Sequence, residues 1–213
     1  MSDALKLLSE VGAVTLNRHF VYKSGKHGSG YINMDRLFPD NGAVSGLCFD
    51  LDRPFHGQYD TVAGPATGGI VLAYATAMVV TRRSPWAVWA DKVGDDFRFE
   101  RAGFSDHLRG HPVLVVEDLL TTGGSVMKVC RAAEEHGAEI VGVSVIVNRG
   151  GVTAEQLGVP RLEQLASVDF DAFEPEDCPL CKDEVPIVLD IGHGASFQAQ
   201  HPNYAGGFIA DWS

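Results

Sequence analysis

The apolar residues of this chain change rhythm along its length, and the changes divide it into elements. Residues 3–12 place Ala4, Leu7, Leu8 and Val11 at helical spacing, with Gly12 as the stop. Residues 14–22 alternate enough for a strand, 23–30 form a Gly/Ser/Lys-rich loop, and Tyr31-Ile32-Asn33 reads as a returning strand. Pro39, Asp40 and Asn41 punctuate ahead of an irregular helix over about 44–51. From there strand and helix periods alternate, with strands over 59–63, 86–90, 113–116 and 140–147 and helices over 68–80 and 125–136. The second of these helices sets Val126, Val129, Cys130 and Ala133 on one face, with Lys128, Arg131, Glu134 and Glu135 off it. Such alternation predicts an α/β fold, a central mostly parallel sheet flanked by helices. Segment 91–109 shows no period beyond a hairpin arm over 97–101. A mostly polar connection of that length points to function. The tail, 192–213, is rich in Gly, His and aromatic residues and is expected to pack as an extended arm.

Composition narrows the classes. A chain of 213 residues suits one sizeable α/β domain, and 45% hydrophobic with 21% charged residues is ordinary for a globular protein. The net charge of -11 argues against non-specific binding to nucleic acid or an anionic membrane. Residues 1–12 lack the basic and apolar regions of a secretory signal, and no run of about 18 apolar residues occurs, so no membrane partner is expected. Residues 70–80, the longest apolar stretch, include Tyr74 and Thr76 and read as a packed helix. Four cysteines are too few for a disulfide framework, and a reducing cytoplasm is the default.

The chemistry concentrates in Val113-Leu114-Val115-Val116-Glu117-Asp118-Leu119-Leu120-Thr121-Thr122-Gly123-Gly124-Ser125. Four apolar residues end in two carboxylates, and a Thr/Gly/Ser turn then opens a helix. Open α/β sheets bind ligands at the carboxyl ends of their strands, and a Gly-rich turn entering a helix attracts anions. Acids for hydroxyls beside amides for a phosphate suit a sugar phosphate. A second turn of this kind, Gly64-Pro65-Ala66-Thr67-Gly68-Gly69, follows an earlier strand and lacks the Lys-Ser/Thr pair of a Walker A loop. Lys23 in its Gly-rich loop is a mobile cation suited to phosphate. Arg149, just past the strand over 140–147, offers a guanidinium fork for a planar carboxylate. Cys178-Pro179-Leu180-Cys181 has the spacing of half a zinc ribbon, but the second ligand pair is missing. Cys48 lies far upstream, Cys130 falls on an apolar helix face, and His193 and His201 have abnormal spacing. A structural turn or redox-sensitive pair is favoured there over a metal.

The signature 113–125 resembles that of the type I phosphoribosyltransferases, which bind 5-phosphoribosyl diphosphate (PRPP). Phe20-Val21-Tyr22-Lys23-Ser24-Gly25 followed by Tyr31-Ile32-Asn33-Met34-Asp35 is similar to the N-terminal hood of the orotate phosphoribosyltransferases, and the Cys-Pro-Leu-Cys element to one found in a subgroup of them. The resemblance covers about residues 14–190. It implies the type I phosphoribosyltransferase fold over 1–213 as a single domain, with a small hood from about 1–40 plus the C-terminal segment and a core over about 44–160. It implies transfer of 5-phosphoribosyl from PRPP to orotate, as in pyrimidine synthesis, with Mg2+ held mainly through PRPP oxygens and water. Glu117 and Asp118 would then meet the ribose hydroxyls, Thr121, Thr122, Gly123, Gly124 and Ser125 the 5′-phosphate, and Ala66, Thr67 and Gly68 the pyrophosphate. Lys23 and Lys92 would neutralise the pyrophosphate, and Thr121, Arg149, Tyr31 and Ile32 would meet the base. Loop 91–109 would reach the neighbouring active site of a homodimer. This sequence departs from the family in two places. Asn148 replaces the commoner Asp before Arg149, and the loop turns acidic after Lys92, leaving Arg98 and Arg101 as weaker candidates and His107 as a solvated residue. Two alternatives stay open: transfer to another base, and a non-catalytic PRPP-binding regulator.

Overall fold

A computed structural model describes residues 2–80 and 84–210. In chain order the elements are α1 (Asp3–Glu10), β1 (Val14–Val21), β2 (His27–Ile32), α2 (Asn41–Asp52), β3 (Thr61–Pro65), α3 (Gly68–Val79), β4 (Trp86–Val93), β5 (Asp96–Arg98), β6 (Pro112–Leu120) and α4 (Gly124–Glu135). There follow β7 (Glu139–Asn148), α5 (Ala154–Leu157), β8 (Leu162–Ser167), α6 (Pro179–Lys182), β9 (Ile187–Val188), α7 (Gly194–Gln200) and β10 (Phe208–Ile209). Among the described residues no helix is long and apolar enough to cross a membrane. The chain divides into two compact units, one of residues 2–8 with 34–168 and one of residues 9–33 with 169–210. The helix over Asp3–Glu10 and residues 34–40 therefore divide differently from the expected hood.

The larger unit is a six-stranded sheet in the order β5-β4-β3-β6-β7-β8, parallel except at the β4–β5 edge. Its central strands read as continuous apolar runs because both faces are covered. Val113, Val115, Val143 and Val145 face α4, whose Val126, Val129, Cys130 and Ala133 complete that side of the core. The alternate residues face α2, where the Ser144 hydroxyl donates to Leu51 O at 3.0 Å. From β3 the chain crosses through α3 to β4 on one side, whereas from β6 it crosses through α4 to β7 on the other. The ends of β3 and β6 thus diverge, and a crevice opens between them.

Several elements differ from the sequence expectation. Asp40 is the N-cap of α2, its carboxylate accepting from Ala43 N at 2.9 Å, so punctuation there is the helix start. β6 runs through Leu120 and keeps both acids inside the strand. Segment 91–109 is structured: β5 pairs back on β4, burying Phe97 and Phe99, and a 3-10 turn covers Phe104–His107. α3, apolar all round, leaves Tyr74 60% and Met78 66% exposed, and Phe49 of α2 is 56% exposed.

The smaller unit holds a four-stranded sheet, β10-β9-β1-β2, around Phe20, Val188 and Ile191. The tail is no extended arm, since it forms α7 and β10, the latter pairing with β9. Residues 211–213 of that expectation lie outside the described residues.

Asn148, at the end of β7, is 2% exposed and clamps the turn after it. Its Nδ2 donates to Val152 O at 2.8 Å and Gln164 Oε1 at 2.6 Å, and its Oδ1 accepts from Val152 N at 3.1 Å. Gln164 can rotate its amide to meet a carboxylate, but the Val152 carbonyl can only repel one. Asn148→Asp should therefore lower unfolding free energy by about 1–3 kcal/mol. An unchanged urea midpoint at constant m-value would show that the clamp contributes nothing.

Candidate functional site

The site begins with strand period. Successive residues of a strand point to opposite faces, so Glu117 and Asp118, neighbours in β6, address different loops. Glu117 opens on the hollow lined by Thr121, Thr122, Gly123, Gly124 and Ser125. Asp118 faces the other loop, for a Cβ on Gly68 would stand 2.5 Å from its Oδ2 and 3.3 Å from Phe38 Cζ. Gly68 is thus where the β3–α3 turn comes closest to the acid pair, and no side chain fits between them. One strand end delivers one carboxylate to each anion loop.

The two acids differ in exposure, Glu117 being buried and Asp118 half-buried. Glu117 is 8% exposed. Burial, then the Asp118 charge beside it, pushes its carboxyl well above the usual range. Burial also raises Asp118, the charge of Asp35 adds to this, and hydrogen bonds from Glu117 and from backbone amides oppose it. The pair is linked directly, with Asp118 N donating to Glu117 Oε1 at 3.1 Å. Such a pair favours a ligand that brings positive charge or several hydroxyl donors. Asp35, in the 3-10 turn over Met34–Arg36, was not singled out from the sequence, where nothing placed it near β6.

The two loops are built from backbone. Gly123 (φ 76°) is the N-cap of α4, and Thr121, Thr122 and Ser125 are exposed around it. The helix presents N–H groups without partners inside the helix, and its positive dipole end, there. In the other loop the Ala66–Thr67 peptide is cis, and Ala66 N donates to Ala90 O of β4 at 2.9 Å. Lys92 lies two residues beyond Ala90 on that strand, exposed. Arg149 follows β7 beside the signature turn: its amide donates to Leu120 O at 2.8 Å, and a Cβ on Gly150 would overlap Thr121 O. The larger unit therefore brings together Glu117, Asp118, Thr121 to Ser125, Ala66 to Gly68 and Arg149, whereas Lys92 stands exposed on β4 beside its edge hairpin.

Other candidates have local roles or lie elsewhere. Arg101 forks onto Asp91 at 2.8 and 3.0 Å and lies over the Trp89 ring at 5.0 Å. Arg98 pairs with Glu100 at 3.4 Å. His107, expected to be solvated, stacks on Trp86 with ring centroids 4.7 Å apart. Lys23, Tyr31 and Ile32 belong to the smaller unit. Lys23 is exposed in the turn between β1 and β2, and Tyr31 packs against Phe20 at the end of β2.

Comparison with known proteins agrees with this geometry. Residues 35–163 match the model of the phosphoribosyl transferase domain. An orotate phosphoribosyltransferase of Thermotoga maritima is 39% identical over 185 residues, spanning 85% of this chain and 93% of that protein. The crystal structure of the orotate phosphoribosyltransferase from Aeropyrum pernix superimposes with a TM-score of 0.56 at 30% identity, covering 77% of this chain and 93% of that one. The same fold occurs in the Mycobacterium tuberculosis orotate phosphoribosyltransferase in complex with PRPP (TM-score 0.57, 23% identity, 78% and 89% covered). By sequence, fold and the two loops facing its acid pair, the chain belongs to the phosphoribosyltransferase family, among the orotate phosphoribosyltransferases.

Proposed function

We propose that this protein transfers 5-phosphoribosyl from PRPP to N1 of orotate, giving orotidine 5′-phosphate and pyrophosphate in pyrimidine synthesis. The observation that carries the reading is one carboxylate at the end of β6 for each of two backbone anion loops. PRPP has a phosphate at one end, a diphosphate at the other and hydroxyls between. The Thr121 to Ser125 amides hold the 5′-phosphate, Ala66 to Gly68 hold the pyrophosphate, and Glu117 and Asp118 accept from the ribose hydroxyls. As the bond at C1 breaks, positive charge grows on the ribose and negative charge on the leaving group. The chain's contribution is alignment and fixed charge. Lys92 neutralises the departing pyrophosphate, a role the family resemblance also implies for Lys23, and Arg149 forks onto the carboxylate of orotate beside Thr121. Tyr31 and Ile32 have the base-binding roles that the family resemblance implies.

Mg2+ is part of the proposal. It would be held mainly through PRPP oxygens and water, hard oxygen donors of the kind it takes, with Glu117 and Asp118 meeting the ribose hydroxyls directly or through its water shell. When bound with PRPP it neutralises charge on the diphosphate. We place the protein in the cytoplasm, in keeping with four cysteines that form no disulfide.

A homodimer is also proposed, supported by the bare apolar face of Val71, Tyr74 and Met78 on α3 beside Val44 of α2, a surface a lone soluble chain rarely leaves uncovered. Loop 91–109 of one protomer then serves the site of its partner, in keeping with Lys92 exposed on the edge hairpin.

Loss of orotate absorbance with protein, Mg2+ and PRPP tests the reaction. Arg149→Ala should raise KM for orotate roughly 10- to 100-fold, from loss of a charged hydrogen-bond pair, with KM for PRPP little changed. Turnover of a purine with orotate inert would move the protein to another base.

Glu117 also predicts a pH-dependent trade. Its proton affinity is higher folded than unfolded, so its stabilising contribution is complete below the ordinary carboxylate range and is lost as pH rises through the raised value. Glu117→Gln should therefore melt higher than the native chain at about pH 8, by about 2–4 °C per kcal/mol relieved, converge with it near pH 4, and lose activity. An equal difference at both pH values would contradict this.

Tyr74→Asp with Met78→Asp should sediment as a monomer. Mixing Lys92→Ala with Asp118→Asn dimers, each inactive, should regain about a quarter of native activity through hybrids with one intact site. No regain would place Lys92 in its own chain's site.

A further inference from the structure

The smaller unit gathers four ligand-type side chains that the reaction above does not use. His19 of β1, His27 of β2, and Cys178 and Cys181 flanking the start of α6 bring one nitrogen or sulfur each to within 4.8 Å of all the others. His19, His27 and Cys178 are fully buried, and Cys181 is partly so. We propose that these four residues form a structural zinc site of the His2Cys2 type.

The edges of the cluster support a tetrahedral ion. Bonds of about 2.0–2.1 Å to nitrogen and 2.3 Å to sulfur imply edges of about 3.3 Å between nitrogens, 3.6 Å from nitrogen to sulfur and 3.8 Å between sulfurs. Cys178 Sγ and Cys181 Sγ stand 3.7 and 3.8 Å from His19 Nε2. His27 Nδ1 stands 3.2 Å from Cys181 Sγ and 2.9 Å from His19 Nε2, so loading opens these two edges by a few tenths of an ångström.

Hydrogen bonding gives the tautomers. His19 Nδ1 lies 2.9 Å from the Val185 carbonyl, which can only accept, so Nδ1 carries the proton and Nε2 turns a lone pair into the cluster. The Tyr204 hydroxyl donates to the same carbonyl at 2.9 Å. A ring nitrogen anchored on a carbonyl is the usual outer support of a metal-bound histidine. His27 Nδ1 faces the His19 lone pair, whereas its Nε2 is buried without a hydrogen-bond partner. With its proton on Nδ1, Nε2 is a buried acceptor with nothing to accept. With its proton on Nε2, two lone pairs meet at 2.9 Å. A cation at the centre removes that second conflict, and it takes both sulfurs as thiolates. The soft donor set, two thiolates and two imidazoles, selects zinc over the hard cation of the reaction.

The unit has reason to need such an ion. Its sheet includes two strands of two residues each, and the apolar cluster of Phe20, Val188 and Ile191 is small. Small units with thin cores are often completed by a metal. His193 and His201, the histidines that the sequence suggested beside the cysteine pair, do not join: His193 caps α7 and His201 packs on Phe197 at 4.4 Å.

The test uses the full chain without an affinity tag that binds metal. Chelator-stripped protein titrated with Zn2+ against a chromophoric competitor should take up one ion per chain, with both Cys178 and Cys181 then shielded from a thiol reagent. Co2+ in its place should give thiolate charge-transfer absorption and the intense visible bands of a tetrahedral site. His27→Ala and Cys181→Ser should each weaken uptake at least about tenfold, and circular dichroism of each variant separates lost ligation from lost folding. The proposal is overturned if the native chain takes no zinc, if uptake survives Cys178→Ser with Cys181→Ser, or if the pair closes to a disulfide that zinc does not prevent. None of these outcomes bears on the transferase reading, which the orotate assay tests separately.

Discussion

Where β3 and β6 part company sets what this protein can do. The crossover through α3 leads one way and that through α4 the other, so the two strand ends have no chain between them and two helix N-termini converge on the gap. A pair of acids at the end of β6 is costly there, because burial opposes ionisation of both, and neighbouring charge adds to it, that of Asp118 on Glu117 and that of Asp35 on Asp118. That cost is tolerable only if a ligand compensates it, and the divergent loops supply the means of holding one. The tension between stability and ligand affinity at Glu117 is therefore a property of the topology, and a better-packed strand end would have nothing to bind with.

Much of this was legible in the residues. The Val113 to Val116 run, the acid pair and the Thr/Gly turn identify a buried strand ending at a phosphate nest, since each demands the next. The strand's true length was not legible, because Glu117 and Asp118 read as polar residues that should end it. Only pairing with β7 shows that the period continues and sends the two acids to opposite faces. Segment 91–109 was opaque for a related reason: its pairing with β4 rests on three residues, and a short edge strand carries too little pattern to register. α5, α6, β9 and β10 are shorter still and depend on partners distant in sequence.

The cysteine pair shows the limit from another side. Its spacing suggested a ligand pair, and the search for the remainder went to histidines nearby in the tail. The residues that meet it are His19 and His27, the former 159 positions from Cys178. Both read as members of a strand and a Gly-rich loop, where a histidine attracts no notice. Asn148 was likewise noticed only as a departure from the family's habit. In the fold its amide does what a carboxylate could not, donating to the Val152 carbonyl while accepting from the same residue's N–H.

The nesting of one unit inside the other in sequence has a consequence for biosynthesis. Residues 9–33 leave the ribosome early, yet their partners in the small sheet, beginning at 169, emerge only after the whole larger unit has been made. The β1–β2 hairpin, carrying Lys23, must wait unpartnered while the parallel sheet assembles, because vectorial synthesis lets units complete in the order their last segment appears. Nascent chains just long enough to bring residue 168 out of the ribosome, with the residues after it still inside, would thus hold both anion loops in native form while the hairpin still sampled other arrangements.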